Sequence, residues 1–189
     1  RDKKNILKII KSLKKVKCNY IICLSTIDIY NKRNSSENTK IKNNPRNNYG
    51  SNRLMLINFI KKNFKDHLII KLPSLFGFNH KKGYFYDLCN KNKIEFYNQK
   101  SELQWYYTPD LIKDIKKLKL LKIKDINLVS EPISCNEVSK TLKINKLFIN
   151  QNPIIKYKVC SVRKYMNGKF PISKNDILKK MQKYLRVKR

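Results

Sequence analysis

The sequence predicts an α/β fold in which short apolar strands run parallel and amphipathic helices cross between them. Three observations carry this. Tyr20-Ile21-Ile22-Cys23-Leu24 and His67-Leu68-Ile69-Ile70-Lys71-Leu72 are apolar runs of strand length, the pattern of buried strands. Ile6, Leu7, Ile9, Ile10, Leu13 and Val16 recur among lysines at helical spacing before the first run. Leu54, Ile57, Ile60 and Phe64 do the same before the second. A helix and loop between two such strands form the crossover that parallel pairing requires.

Taken in order, residues 3–15 are an amphipathic helix and 19–24 a strand, which Thr26 closes. A polar loop from Asn31 to Asn48, rich in Asn and Ser with Pro45, is long enough to be functional. Tyr49 opens a helix that reaches about Phe64, and His67–Leu72 is the second strand. Pro73-Ser74-Leu75-Phe76-Gly77 leaves that strand as a turn. A short helix is expected between Gly83 and Asn92, then a strand at Ile94-Glu95-Phe96-Tyr97 and an aromatic strand from Leu103 to Tyr107. Thr108-Pro109-Asp110 is a helix start, with Thr as cap and Pro in the first turn, and that helix runs to about Leu121. Asp125–Val129 is another strand, and Ser134 with Glu137 three residues on forms a capping box. Short strands or loop are expected over 146–165, and Ser173 caps a basic helix that ends near Leu185.

At 189 residues with 41% hydrophobic and 11% aromatic content, the chain can bury a core despite a mean hydropathy of −0.61. The formal net charge of +31 invites a nucleic-acid reading. Lysine is spread over nearly every segment, however, and no zinc-finger, helix-turn-helix or aromatic-glycine signature accompanies it, so nucleic acid is not the expected partner. Such a surface favours anionic small molecules. Cys18, Cys23, Cys89, Cys135 and Cys160 are odd in number and lack a C-x-x-C, which points to reduced thiols in a cytoplasmic protein. His67 and His80 have no neighbouring ligand pattern, so no metal is expected. No apolar run reaches the length of a membrane span.

The chemistry concentrates on Tyr49-Gly50-Ser51-Asn52-Arg53 and on Ser25-Thr26. Residues four apart share a helix face, so Tyr49 and Arg53 present a phenol beside a permanent cation. The Thr26 hydroxyl sits at a strand's carboxyl end, where open parallel sheets place ligands. Hydroxyl, phenol and cation together make a proton-transfer constellation. Alone, Tyr49-x-x-x-Arg53 is an ordinary helix start and Thr26 an ordinary strand-end cap; their joint placement ahead of the Pro73–Gly77 segment carries the functional reading.

These segments resemble the second half of an extended short-chain dehydrogenase/reductase, of the NAD-dependent epimerase/dehydratase family that acts on sugar nucleotides. Ser25-Thr26-Ile27-Asp28-Ile29-Tyr30 resembles the family's fifth-strand end, with Thr26 at the catalytic hydroxyl position. Tyr49-x-x-x-Arg53 resembles its Tyr-x-x-x-Lys, and Lys71-Leu72-Pro73-Ser74-Leu75-Phe76-Gly77 resembles the Arg-Pro turn that covers the nicotinamide. Gln104 to Leu111, then Asp125-Ile126-Asn127-Leu128-Val129 and Ser134-Cys135-Asn136-Glu137-Val138, resemble its later segments, so the likeness covers about residues 5–145. It implies the C-terminal part of a Rossmann-like parallel sheet with flanking helices (1–80, half of an NAD(P)-binding domain) and a small mixed α/β substrate-binding region (81–189). The implied catalytic residues are Thr26, Tyr49 and Arg53. Ser25, Tyr49, Arg53, Pro73 and Leu75 would contact NAD or NADP. Asp28, Ser74 and Gln104 would contact a nucleotide sugar or related small molecule. The resemblance leaves a homodimer open.

Tyr49 would exchange a proton with a sugar hydroxyl while hydride passes to or from the nicotinamide. A free tyrosine has a pKa of about 10, so a cation is needed to make it a base near neutrality. Arg53 supplies the charge with a bulkier, planar head than lysine has, which leaves a working but altered site and a degenerate one both open. Thr26-Ile27-Asp28 keeps at most half of the dehydratase acid pair, and Asp28 also reads as a plain loop carboxylate. The family's Gly-rich half has no counterpart here: the four glycines are at 50, 77, 83 and 168. With Arg1 in place of Met, the expectation is that an N-terminal part is missing, that the first strand has an open edge, and that the chain alone binds NAD(P) weakly or not at all. The alternative is a non-catalytic α/β domain that serves as a binding or assembly module, with polyanions as one candidate ligand.

Overall fold

The computed structural model describes residues 1–41, 47–78, 80–90, 92, 97–144, 152–163 and 168–188. Its centre is a parallel sheet in the order β1-β2-β6, formed by Ile21–Thr26, His67–Leu72 and Asp125–Asn127. The strand expected at 19–24 sits two residues further on. Pairing Ile21 with His67 carries the ladder to Thr26 opposite Leu72, so both strands end together.

The lysine-rich start folds as α1 (Asp2–Leu13), which buries Ile6 against α2 (Asn48–Asn63). Helix α2 begins where Asn47 accepts a hydrogen bond from the Gly50 N–H at 2.7 Å, and it buries Ile57 and Ile60. These pack with Cys23, Ile69 and Val129 on one face of the sheet. The opposite face buries Leu68, Ile70, Leu72 and Ile126 under Leu118 of α4 (Leu111–Leu120). Strand β2 is thus covered on both sides, which is why it reads as a continuous apolar run; each such aliphatic side chain contributes about 1.5–3 kcal/mol.

One β2 residue breaks that rule. Lys71, 3% exposed, lies on the α2 side and pairs with Asp125, which also binds Lys61. Burial depresses the Lys71 pKa. Burial pushes Asp125 the other way, but the charges of Lys71 and Lys61 outweigh it and hold the carboxyl below its usual range.

Beyond β2 the chain differs from expectation at Ser74–Phe76 and at Thr108. Ser74–Phe76 is a strand, β3, rather than a turn, because it pairs in parallel with β5 (Trp105–Tyr107), Ser74 opposite Trp105. Thr108 does not cap α4: its hydroxyl donates to the Phe76 carbonyl at 3.2 Å, and Thr108–Asp110 form a 3₁₀ turn before the helix. Gly77 closes β3 at φ +146°, where an added Cβ would lie 2.4 Å from Thr108 Oγ1. Residues 94–96 of the strand expected at 94–97 lie outside the described residues, as do 146–151 and 164–165; over 152–163 the chain is irregular apart from an isolated bridge at Lys156.

Helix α3 (Tyr84–Cys89), the antiparallel pair β4 (Glu102–Leu103) with β7 (Ile133–Ser134), α5 (Cys135–Thr141) and α6 (Lys174–Lys188) complete the chain. They enclose an aromatic core of Phe76, Tyr84, Phe85 and Trp105 with Val138, Ile177 and Met181. Ser134 and Glu137 form the expected capping box at α5, and the Ser173 hydroxyl accepts from the Asp176 N–H at α6. The free side of β6 is closed by Glu37 from the polar loop. Its Oε1 accepts from the Asn127 N–H at 2.6 Å and from the Ser161 hydroxyl at 2.8 Å, and its Oε2 accepts from the Val162 N–H at 2.9 Å. The other side of the sheet, the edge of β1, has no strand beside it among the described residues, and Ile22 and Leu24 are 39% and 48% exposed.

Candidate active site

The carboxyl ends of β1 and β2 open into a cavity of about 390 Å³. Parallel sheets put ligands there because the strands end in exposed turns that can carry side chains inward. Thr26, Asp28, Tyr49, Pro73, Ser74, Leu75 and Gln104 all line it. Seven of the nine residues singled out from the sequence therefore face one space. Ser25 and Arg53 do not. A larger cavity of about 610 Å³ opens at the start of α6 beside Asp110 and Asp176, away from Thr26 and Tyr49.

Thr26 ends β1 with extended backbone, and its hydroxyl oxygen accepts from the Asp28 N–H at 3.2 Å, which starts the 3₁₀ turn Ile27–Ile29. The Thr26 O–H faces Asp28 Oδ2 at 3.4 Å, a long contact. Asp28 Oδ1 in turn accepts from the Tyr157 phenol at 3.0 Å. Tyr49, in the first turn of α2, is 45% exposed at the cavity mouth. Arg53 lies one turn on and stacks over the Tyr49 ring, 4.6 Å from its centroid, as the four-residue spacing requires. Asp2 of α1 holds the same guanidinium at 3.0 Å. Burial works against the Arg53 charge, but bonding and charge from Tyr49 and Asp2 raise its pKa overall.

Gln104 and Ser25 differ sharply in their hydrogen bonding. Gln104 is 1% exposed; its amide nitrogen donates to the Ser130 and Val159 carbonyls, both at 2.7 Å, and its oxygen accepts from the Val159 N–H. Its polar atoms thus tie the cavity wall to the chain's later segment. The Ser25 Oγ is buried without a hydrogen-bond partner. Among the described residues, no group of three or more His, Cys, Asp or Glu side chains is placed to hold a metal, and no helix is long and apolar enough to cross a membrane.

The cavity also contains residues that sequence reasoning passed over: His80, Lys82, Tyr84 and Tyr157. His80 Nε2 lies 3.2 Å from Thr108 Oγ1, so the turn after Gly77 is pinned to the start of α4. Its position just past the Pro73–Gly77 segment was a usable signal. Tyr157 had none, since it reaches Asp28 from 129 residues away.

No family model matches the sequence, and no curated protein matches it significantly. Solved structures do match. A UDP-galactose 4-epimerase superposes with a TM-score of 0.69 at 12% identity, covering 97% of this chain and 68% of that one. The L-threonine 3-dehydrogenase of Trypanosoma brucei gives 0.65 at 14%, covering 98% and 67%. The UDP-glucuronic acid 4-epimerase of Bacillus cereus in complex with NAD gives 0.67 at 17%, covering 96% and 66%. The chain thus spans about two thirds of each of these proteins and has the α/β fold that these epimerases and dehydrogenases share.

Proposed function

We propose that this chain forms the substrate side of an NAD(P)-dependent epimerase, dehydratase or reductase acting on a nucleotide sugar. The observation that carries the reading is that Thr26, Tyr49 and Pro73–Leu75 line one cavity at the carboxyl ends of β1 and β2. In this reading Tyr49 moves a proton to or from a substrate hydroxyl, Arg53 keeps a fixed charge against the phenol, and Thr26 hydrogen-bonds the reacting oxygen. The nicotinamide cofactor, when bound, accepts or returns the hydride. Pro73 and Leu75 offer a wall for its ring. Lys82 and His80 in the same cavity favour a substrate with an anionic group. The dinucleotide's phosphates find no Gly-rich cradle in these 189 residues.

The test is Tyr49→Phe in the longest natural form of the protein, assayed with NAD and NADP against a panel of nucleotide sugars. Wild-type turnover that falls by about a hundredfold or more, the scale of a lost acid–base group, supports the reading. Unchanged turnover in the variant overturns it.

A second reading, a non-catalytic module that binds polyanions, is favoured by the tie between Arg53 and Asp2 and by the excess of 44 Lys and Arg over 13 Asp and Glu. It predicts retention on nucleic acid that falls steeply with salt and shows no sequence preference.

A further inference from the structure

We infer that Tyr157 is a positioning residue of the candidate site: it holds the Asp28 carboxylate so that the single hydroxyl proton of Thr26 stays available to a substrate oxygen. The inference rests on the proton-transfer reading of the cavity.

Threonine can donate one hydrogen bond. If Thr26 is to serve a substrate, that proton must not be spent on the protein, yet a carboxylate stands two residues away. The Thr26 oxygen already accepts from the Asp28 N–H at 3.2 Å, which fixes the two side chains close together. An unrestrained carboxylate here would take the Thr26 proton in a charge-assisted bond at about 2.5–2.7 Å. The observed contact is 3.4 Å. The shorter of these two contacts is with the Tyr157 phenol, which donates to the other Asp28 oxygen at 3.0 Å.

Tyr157 is well placed to act as an anchor. Its backbone N–H donates to the Glu102 carbonyl at 2.9 Å, within a parallel bridge between Glu102 and Lys156. The next residue is tied too, the Lys158 N–H donating to the Arg33 carbonyl at 2.8 Å, while the Arg33 guanidinium lies 5.8 Å from the Tyr157 ring centroid. The phenol therefore approaches Asp28 from a fixed frame, and Tyr157, Asp28 and Thr26 all line the same cavity.

The experiment reads the Thr26 hydroxyl directly, with no cofactor and no turnover, so a chain inert toward every nucleotide sugar still tests it. In mixed H₂O/D₂O, the Thr26 Cβ resonance reports hydroxyl exchange through its deuterium isotope shift. Tyr157→Phe should slow that exchange by about three- to tenfold, the range that one ordinary hydrogen bond gives, as Asp28 swings onto Thr26. In the Asp28→Ala background, Tyr157→Phe should leave the exchange rate unchanged. A purely structural role for Tyr157 would lower the melting temperature equally in both backgrounds and leave Thr26 exchange alone. Exchange unaltered by Tyr157→Phe, or altered to the same extent without Asp28, overturns the inference. If Tyr157→Phe does not fold, Asp28→Ala alone decides: Thr26 exchange should then match the wild type within about twofold, the scatter of one weak contact, and faster exchange overturns the inference.

Discussion

Asp2 and Arg53 join the first turn of α1 to α2, with Asp2 Oδ1 accepting from Arg53 Nη2 at 3.0 Å while the guanidinium stacks on Tyr49. The carboxylate that orients this cation thus comes from outside the cavity, 51 residues earlier in the chain. The Asn52 amide, donating to Asp2 Oδ2 at 2.8 Å, is the main reason that the Asp2 carboxyl lies below its usual range; Arg53 adds to it. A depressed folded-state value means that the contact is intact above the ordinary carboxylate range and fails as pH drops through the lower, folded value. The ring-current shift of the Arg53 side-chain protons under Tyr49 should therefore persist at pH 5 and fade below the usual carboxylate range. In Asp2→Asn the shift should be reduced at every pH.

Lys71 and Asp125 make a sharper energetic test, because Lys71 is sealed between β2 and α2. Asp125→Ala strands that ammonium and should cost about 3–5 kcal/mol by urea denaturation at pH 7. Replacing both, as Lys71→Met with Asp125→Leu, should recover most of the loss, since an apolar pair of similar volume needs no compensation.

Gly77→Ala should destabilise the protein by about 2–3 kcal/mol, from overpacking and strain together. At φ +146° the new methyl would meet Thr108 Oγ1 at 2.4 Å and Pro109 Cδ at 2.9 Å. Both neighbours belong to the 3₁₀ turn that leads into α4, so loss of amide protection at the start of that helix should accompany the shift in urea midpoint.

Glu37→Ala removes an acceptor shared by the Asn127 N–H, the Ser161 hydroxyl and the Val162 N–H, and Asn127 is fully buried. A loss of about 2–4 kcal/mol is expected, the sum of charge-assisted bonds and an orphaned donor. Glu37→Gln, which keeps one acceptor oxygen, should recover about half. Equal stability for the wild type and the alanine variant would contradict the clasp.

Legibility in the sequence followed locality. Strand β2, helix α2 and the Ser134–Glu137 box are specified by residues within one or two turns of each other, so pattern and capping chemistry identify them. Thr26 and Tyr49 belong to the same class, each named by the element that it ends or begins. What stayed hidden depended on distant partners. Ser74–Phe76 reads as a turn until Trp105–Tyr107 arrives to pair with it. Thr108 looks like a cap because nothing nearby announces that the Phe76 carbonyl will claim its hydroxyl. Arg53 was legible as a cation beside Tyr49, but its tether to Asp2 was not.

The uncovered side of β1 bears on how the molecules behave toward one another. Among the described residues no strand pairs with this edge, beside exposed Ile22 and Leu24; in these 189 residues such an edge is a template for a second strand, and two copies that meet there would adhere. The formal charge of +31 opposes such meetings at long range, since every copy repels every other. That repulsion extends only about 8–10 Å at 0.10–0.15 M salt and about 3 Å at 1 M. For these 189 residues the charge therefore acts as a long-range spacer between copies, and added salt, which keeps many proteins dispersed, should drive them to self-associate through the β1 edge.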